Sequence, residues 1–188
     1  MKYDIIYADP PWEYKESGSI KNSRWMAKQH YQTMNLDDIC KLPIKDIKTD
    51  QAICFMWATF PRIKEALQVM ESWWFIYKTV AFTWVKKNKK SWTNFWWMWA
   101  YTRANAEICL IWISKWTKAT QIVKSHWVHS IIESPIEKHS KKPDIVRDKI
   151  VELLWDLPRI ELFAREKIEW WESWGNEVDS NIYLDNLK

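Results

Sequence analysis

Asp9-Pro10-Pro11-Trp12 brings together an acceptor carboxylate, two residues without N–H groups and an aromatic ring. Asp9 can accept hydrogen bonds from an amine. Pro10 stiffens the turn through its fixed φ and presents its carbonyl as a second acceptor. Trp12 offers a flat face on which a base could stack. Two acceptors on the hydrogens of an amine conjugated to a ring favour the pyramidal nitrogen that develops as it attacks an electrophile. In such chemistry Asp9 orients and stabilises first and accepts a proton second. The plain alternative is a strand-ending turn with an Asp cap and a packed Trp.

These residues need a scaffold that aims them. Tyr3-Asp4-Ile5-Ile6-Tyr7-Ala8 reads as a buried strand stopped by the prolines. Asp9 then leaves the strand at its carboxyl edge, where open α/β sheets bind ligands. A short helix is predicted over Leu36–Lys41, with Asn35 as its cap. A strand follows over Gln51–Ala58. A helix from Pro61 to Ser72 places Ile63, Ala66, Leu67 and Met70 on one face. Strands are predicted at Phe75–Val85 and Ala106–Ile113. A helix over Pro143–Leu154 turns Ile145, Ile150, Val151 and Leu154 inward, and a strand at Arg159–Ala164 closes the series. Strands alternating with helices predict a mostly parallel, three-layer α/β sheet.

The 188 residues read as one domain, 1–188. No run of 18 apolar residues occurs, and Met1-Lys2-Tyr3-Asp4 enters a strand at once. Neither a membrane span nor a signal peptide is expected, so the reading is cytoplasmic. Cys40, Cys54 and Cys109 make no metal-spaced pair, and His126 and His129 lack ligand company, so no metal is expected. The net charge of +4 permits a nucleic-acid partner without demanding one. Lysines gather at 86, 87, 89 and 90, at 115, 118 and 124, and at 138, 141 and 142. At a ligand edge they could contact phosphates, and elsewhere they would serve solubility.

Six segments stand in a telling order. Asp9-Pro10-Pro11-Trp12 is followed by His30-Tyr31-Gln32-Thr33-Met34 and by Phe82-Thr83-Trp84-Val85-Lys86. Lys141-Lys142-Pro143-Asp144 comes next, then Ile160-Glu161-Leu162-Phe163-Ala164-Arg165 and Trp174-Gly175-Asn176-Glu177-Val178. From Tyr3 to about Val178 the chain resembles the DPPW-motif adenine-N6 methyltransferases. That is the family of the mRNA adenosine methyltransferase catalytic subunit and its bacterial and phage relatives.

The resemblance implies a Rossmann-like, S-adenosylmethionine-dependent fold, permuted so that the catalytic strand precedes the cofactor strand. It implies a catalytic pocket of Asp9, Pro10, Pro11 and Trp12. Tyr31, Trp84 and Lys86 would bind substrate. Asp9, Lys142, Phe163, Arg165, Asn176 and Glu177 would hold S-adenosylmethionine, with Glu177 standing where some relatives carry Gln. The expected substrate is adenine in nucleic acid, DNA before RNA, and the base must be flipped or single-stranded to reach Asp9. With no separate target-recognition domain visible, selectivity would rest on rim loops or a partner subunit. The alternatives are an RNA adenosine methyltransferase, a non-catalytic nucleic-acid-binding subunit, or an enzyme methylating protein glutamine.

The composition carries a second anomaly, 17 tryptophans against 2 glycines, where average usage predicts about 13 glycines in this length. Trp25, Trp74, Trp92, Trp97, Trp99, Trp112, Trp116, Trp127, Trp155 and Trp170 occupy positions that suit glycine by turn logic or by resemblance. One codon rendered as Trp but specifying Gly in the source would account for them. Trp12, Trp57, Trp73, Trp84, Trp96, Trp171 and Trp174 would then be genuine tryptophans.

Overall fold

The structure is a computed structural model, which describes residues 2–13, 33–98, 101–137 and 141–184. Its first half runs β1 (Tyr3–Ala8), α1 (Leu36–Lys41), α2 (Ile44–Ile47), β2 (Lys48–Ala58), α3 (Ile63–Ser72) and β3 (Ile76–Lys87). The hairpin β4 (Trp97–Met98) and β5 (Arg103–Ala104) precedes β6 (Ala106–Ile113), α4 (Ala119–Ile122) and β7 (Ile131–Pro135). The chain then forms α5 (Ile145–Leu154), β8 (Arg159–Leu162) and β9 (Glu172–Trp174).

Seven strands make one sheet in the order β7-β3-β6-β2-β1-β8-β9. The β1–β2, β1–β8, β8–β9 and β3–β7 pairs are parallel, and β6 lies antiparallel between β2 and β3. Side chains alternate across a strand, so each strand feeds two faces. Ile6, Ala8, Cys54, Met56, Leu110, Ile160 and Leu162 pack with Ile39, Ile44, Ala66, Val69 and Met70 of α1 to α3. Ile5, Tyr7, Ile53, Phe55, Trp57, Phe82, Trp84 and Cys109 pack with Val146, Ile150 and Leu154 of α5. Burying each such large aliphatic contributes about 1.5–3 kcal/mol. The mostly parallel three-layer sheet expected from the sequence is therefore present.

Element by element the agreement is close at the strong signals. The Asn35 side chain accepts from the Asp38 N–H at 2.9 Å and starts α1 as expected. β6 has the predicted range. Pro61 lies in a 3-10 turn, Phe60–Arg62, ahead of α3. Val69 joins Ala66 and Met70 in the core, while Ile63 and Leu67 are only partly buried. On α5 the exposed Ile145 yields its expected inward place to Val146, which lies four residues before Ile150 and eight before Leu154 on one stripe. The last core strand stops at Leu162, since Phe163 turns to φ 61°. The short strands β7 and β9 and the one-turn α2 have too few residues to show a period.

The tryptophans divide sharply. Among the described residues five non-glycines have left-handed backbone, and four are Trp74 (φ 64°), Trp92 (φ 54°), Trp155 (φ 71°) and Trp170 (φ 68°). All four indoles are exposed, as are those of Trp116 and Trp127. Such a backbone strains any residue with a Cβ and suits glycine. Trp74 and Trp155 sit where helices end, and Trp155 N–H closes α5 on the Val151 carbonyl, which is the ordinary place for a left-handed glycine. Trp112 is buried, yet its indole N–H finds no partner among the described residues. Trp97 lies in β4, and Trp25 and Trp99 fall outside the described residues. By contrast Trp57, Trp73 and Trp84 are buried with N–H bonds to the Tyr7 hydroxyl, the Ile39 carbonyl and the Ser134 carbonyl.

Candidate active site

β1 delivers Asp9 to the carboxyl edge of the sheet, between β2 and β8. By alternation Asp9 continues the Ile5–Tyr7 face, the one that α5 covers. The loop into α5 brings Lys142 to that face, and its Nζ lies 2.7 Å from Asp9 Oδ2. The lysine also reaches Glu107 Oε2 at 3.4 Å, and its ammonium sits 5.7 Å from the Trp57 ring centroid. Lys86 Nζ bonds Glu107 Oε1 at 2.5 Å. Two carboxylates and two ammonium groups thus alternate in one half-buried row.

Burial raises the Asp9 carboxyl above its ordinary value; Lys142 opposes the rise and Glu107 adds to it. Burial also acts on Glu107, but Lys142 and Lys86 outweigh it and leave that carboxyl lowered. The environments push the two carboxyls apart. Asp9 keeps 28% of its side chain exposed against 14% for Glu107, so Asp9 is the one that can meet a ligand.

The turn itself differs from expectation in one detail. The Pro10 carbonyl accepts from the Trp12 N–H at 2.9 Å and the residue is buried, so it is not the free acceptor the sequence suggests. The Pro11 carbonyl takes the Met34 N–H at 3.0 Å, tying the turn to the segment before α1. Trp12 is 6% exposed and packs in the core on the α1–α3 side, so its ring braces the turn and offers no stacking face here. Trp84 is likewise buried, edge-on to Trp57 with centroids 6.3 Å apart. It supports the site from behind. Lys86 is committed to Glu107, and Lys87 pairs with Glu133 at 2.7 Å, which leaves Lys89 and Lys90 as the exposed part of the first lysine cluster. Tyr31 and Lys138 lie outside the described residues.

The late strands supply the other half. Phe163, left-handed at the end of β8, meets Trp174 of β9 edge-on at 5.3 Å. Arg165 Nε lies 3.3 Å from Glu177 Oε1, and its charge is felt at Asp9. Asn176 and Glu177 are exposed on the turn after β9. That turn needs Gly175, because a Cβ there would stand 2.2 Å from the Ala164 carbonyl oxygen. Phe163, Arg165, Glu177 and Lys142 thus fringe the same edge as Asp9.

Glu107 escaped the sequence reading. Its only signal is a carboxylate second in an otherwise apolar strand, and the reversed direction of β6 is what brings that early residue to the carboxyl edge. No group of three His, Cys, Asp or Glu is placed to hold a metal ion among the described residues.

The sequence model of one family, MT-A70, matches residues 3–177. The chain is 32% identical over 194 residues to the Type II methyltransferase M.MunI of a Mycoplasma species, covering 96% of this chain and 79% of that protein. It is 26% identical over 193 residues to a probable N(6)-adenosine-methyltransferase MT-A70-like of Oryza sativa subsp. japonica, 98% of this chain but 24% of the plant protein. Against the N(6)-adenosine-methyltransferase non-catalytic subunit METTL14 of Danio rerio it is 30% identical over 92 residues, 48% of this chain and 18% of that one.

Proposed function

The chain belongs to the MT-A70 family, and on that premise we propose that it methylates the 6-amino group of adenine in nucleic acid, DNA in preference to RNA, with S-adenosylmethionine as donor. The observation that carries this reading is Asp9 at the carboxyl edge of β1, partly open and held by Lys142 at 2.7 Å. S-adenosylmethionine, when bound, supplies a methyl group made electrophilic by its sulfonium. The residues fringing the edge suit it. Glu177 can accept from ribose hydroxyls, Asn176 can pair with a polar edge, and Phe163 gives apolar surface at the end of β8. Lys142 can serve a carboxylate of the donor as it serves Asp9.

Asp9 orients the adenine amine by its hydrogens, which frees the nitrogen lone pair to attack. Lys142 holds the Asp9 carboxylate in one rotamer. The raised pKa of Asp9 makes it a competent resting place for the proton that leaves the methylated nitrogen. Pro11 and the buried Trp12 keep the turn rigid. DNA is favoured because the likeness extends over 79% of a Type II methyltransferase and only 24% of a plant N(6)-adenosine enzyme. A cytoplasmic setting belongs to this reading, since Cys40, Cys54 and Cys109 are all free thiols. Target choice would fall to rim loops or to a partner subunit. The intact Asp9-Pro10-Pro11-Trp12 run argues against a non-catalytic role, because a scaffold has no need to keep all four.

The test is transfer from labelled S-adenosylmethionine to adenine-containing DNA and RNA side by side. Methylated adenine is expected, stronger with DNA. Label found only in cytosine or in protein would overturn the assignment.

A further inference from the structure

Directly behind the Asp9–Lys142 pair, on the same face of the sheet, lies a second and deeper one. Arg147 of α5 grips Glu161 of β8 with Nε and Nη2 at 2.7 and 2.9 Å, each side chain about a tenth exposed. Glu161 is the register partner of Tyr7, two residues before Asp9, and the Arg147 guanidinium stands 5.7 Å from the Tyr7 ring centroid. Arg147 Nη1 also bonds Asp144 at 2.7 Å. Asp144 has helical backbone and caps nothing with its side chain; its carboxylate goes to Arg147 and to Lys141 instead. Lys141 in turn reaches Glu166, just beyond β8, at 3.1 Å. Lys141 and Asp144, the middle members of this chain of contacts, flank Lys142 in the sequence.

We propose that Arg147 is a positioning residue of the methyl transfer, setting the depth and rotation of α5's first turn so that Lys142 meets Asp9. The inference rests on the roles given to those two residues above. The apolar stripe of Val146, Ile150 and Leu154 holds α5 to the sheet but leaves it free to slide or roll by small steps, because hydrophobic contact has no direction. A bidentate guanidinium–carboxylate bond does have one. Stability alone does not explain the pair, since a buried ion pair and well-packed apolar replacements are often equivalent. Its worth is geometric.

Two variants separate position from stability. Arg147→Lys keeps the charge and the stem but loses the fork. Arg147→Met combined with Glu161→Met fills the same space without charge. Each is assayed beside Lys142→Met for thermal melting, kcat, KM for DNA and the pH–rate profile. Misplacing Lys142 should lower kcat by about tenfold or more with little change in KM for DNA. In Arg147→Lys, where Glu161 stays in place, it should also move the acid limb upward, because Asp9, facing Lys142, Glu107, Arg165 and Glu161, loses the cation that restrains its pKa. Folded variants with the original kcat and limb would overturn the proposal while an inactive Lys142→Met left the active-site reading standing. A loss matching only the unfolded fraction, with the limb unmoved, would overturn it too. Should the double variant fail to fold, Arg147→Lys decides by the same readouts. Full activity in Lys142→Met would defeat the active-site reading itself, and this proposal with it.

Discussion

The charged row at the carboxyl edge and the tryptophan turns stand in opposite relation to the backbone beneath them. At the edge the side chains are matched: Asp9, Lys142, Glu107 and Lys86 alternate in sign at 2.5 to 3.4 Å. At Trp74, Trp155 and Trp170 the backbone is well formed and the side chains are not matched to it. The Phe75 N–H still closes α3 on the Met70 carbonyl, yet each indole projects outward from a left-handed residue. Function resides in side-chain identity in the first region and in backbone shape in the second. Substitutions should therefore hurt activity without hurting stability at the edge, and improve stability without touching activity at the turns.

The largest effect tests the first half of that contrast. Asp9→Asn should reduce methyl transfer by at least about 10³-fold, the scale of losing a preorganised electrostatic group, with cofactor affinity within a few-fold by calorimetry. Its stability should behave differently. A folded-state pKa raised above the 3.8 of a free carboxyl means that the stability Asp9 lends is present below that value and lost as pH rises through the folded pKa. At neutral pH the Asn variant should thus be no less stable than the parent. A clear loss of melting temperature at pH 7 would break the contrast.

Glu107→Gln comes next. Turnover should fall about tenfold, as Lys86 and Lys142 lose their shared counter-charge. Glu107 helps to raise the Asp9 pKa, so the acid limb of kcat should move to lower pH, opposite to its movement in Lys142→Met. A limb moving the same way in both would separate Glu107 from Asp9. Glycine at 74, 92, 155 and 170 should each raise stability by about 1 kcal/mol in urea unfolding, the lower range for a strained left-handed residue, with kcat unchanged. Unaltered midpoints would show those turns relaxed with their indoles. The smallest effect is Lys89→Ala with Lys90→Ala, which should flatten the salt dependence of DNA binding by up to about two phosphate contacts and leave catalysis alone.

Much of the edge was legible because its signals are local. A six-residue apolar run ended by two prolines fixes β1 and the emergence of Asp9, and Asn35 caps α1 as its side chain dictates. The left-handed turns were legible too, as tryptophans at positions that suit glycine. What stayed hidden depends on contacts between distant segments. Nothing local tells that Trp12 and Trp84 are packed inside while Trp96 is exposed, since one ring serves a core or a surface equally. Glu107, Arg147 and Glu161 are charges inside apolar patterns, and each was hidden because its partner lies on another element. The sequence spacing of Arg147 and Glu161 says nothing of their bidentate bond, which exists only because α5 folds back over β8.

The reversed course of β6 has a consequence for engineering. β3 arrives at the carboxyl edge with Lys87 and β6 departs from it at Ala106, so the whole connection between them begins and ends beside the reacting groups. Exchanging that stretch for a homologue's should therefore redraw what the enzyme touches along its target, while the seven-stranded framework and the Asp9 turn stay where they are.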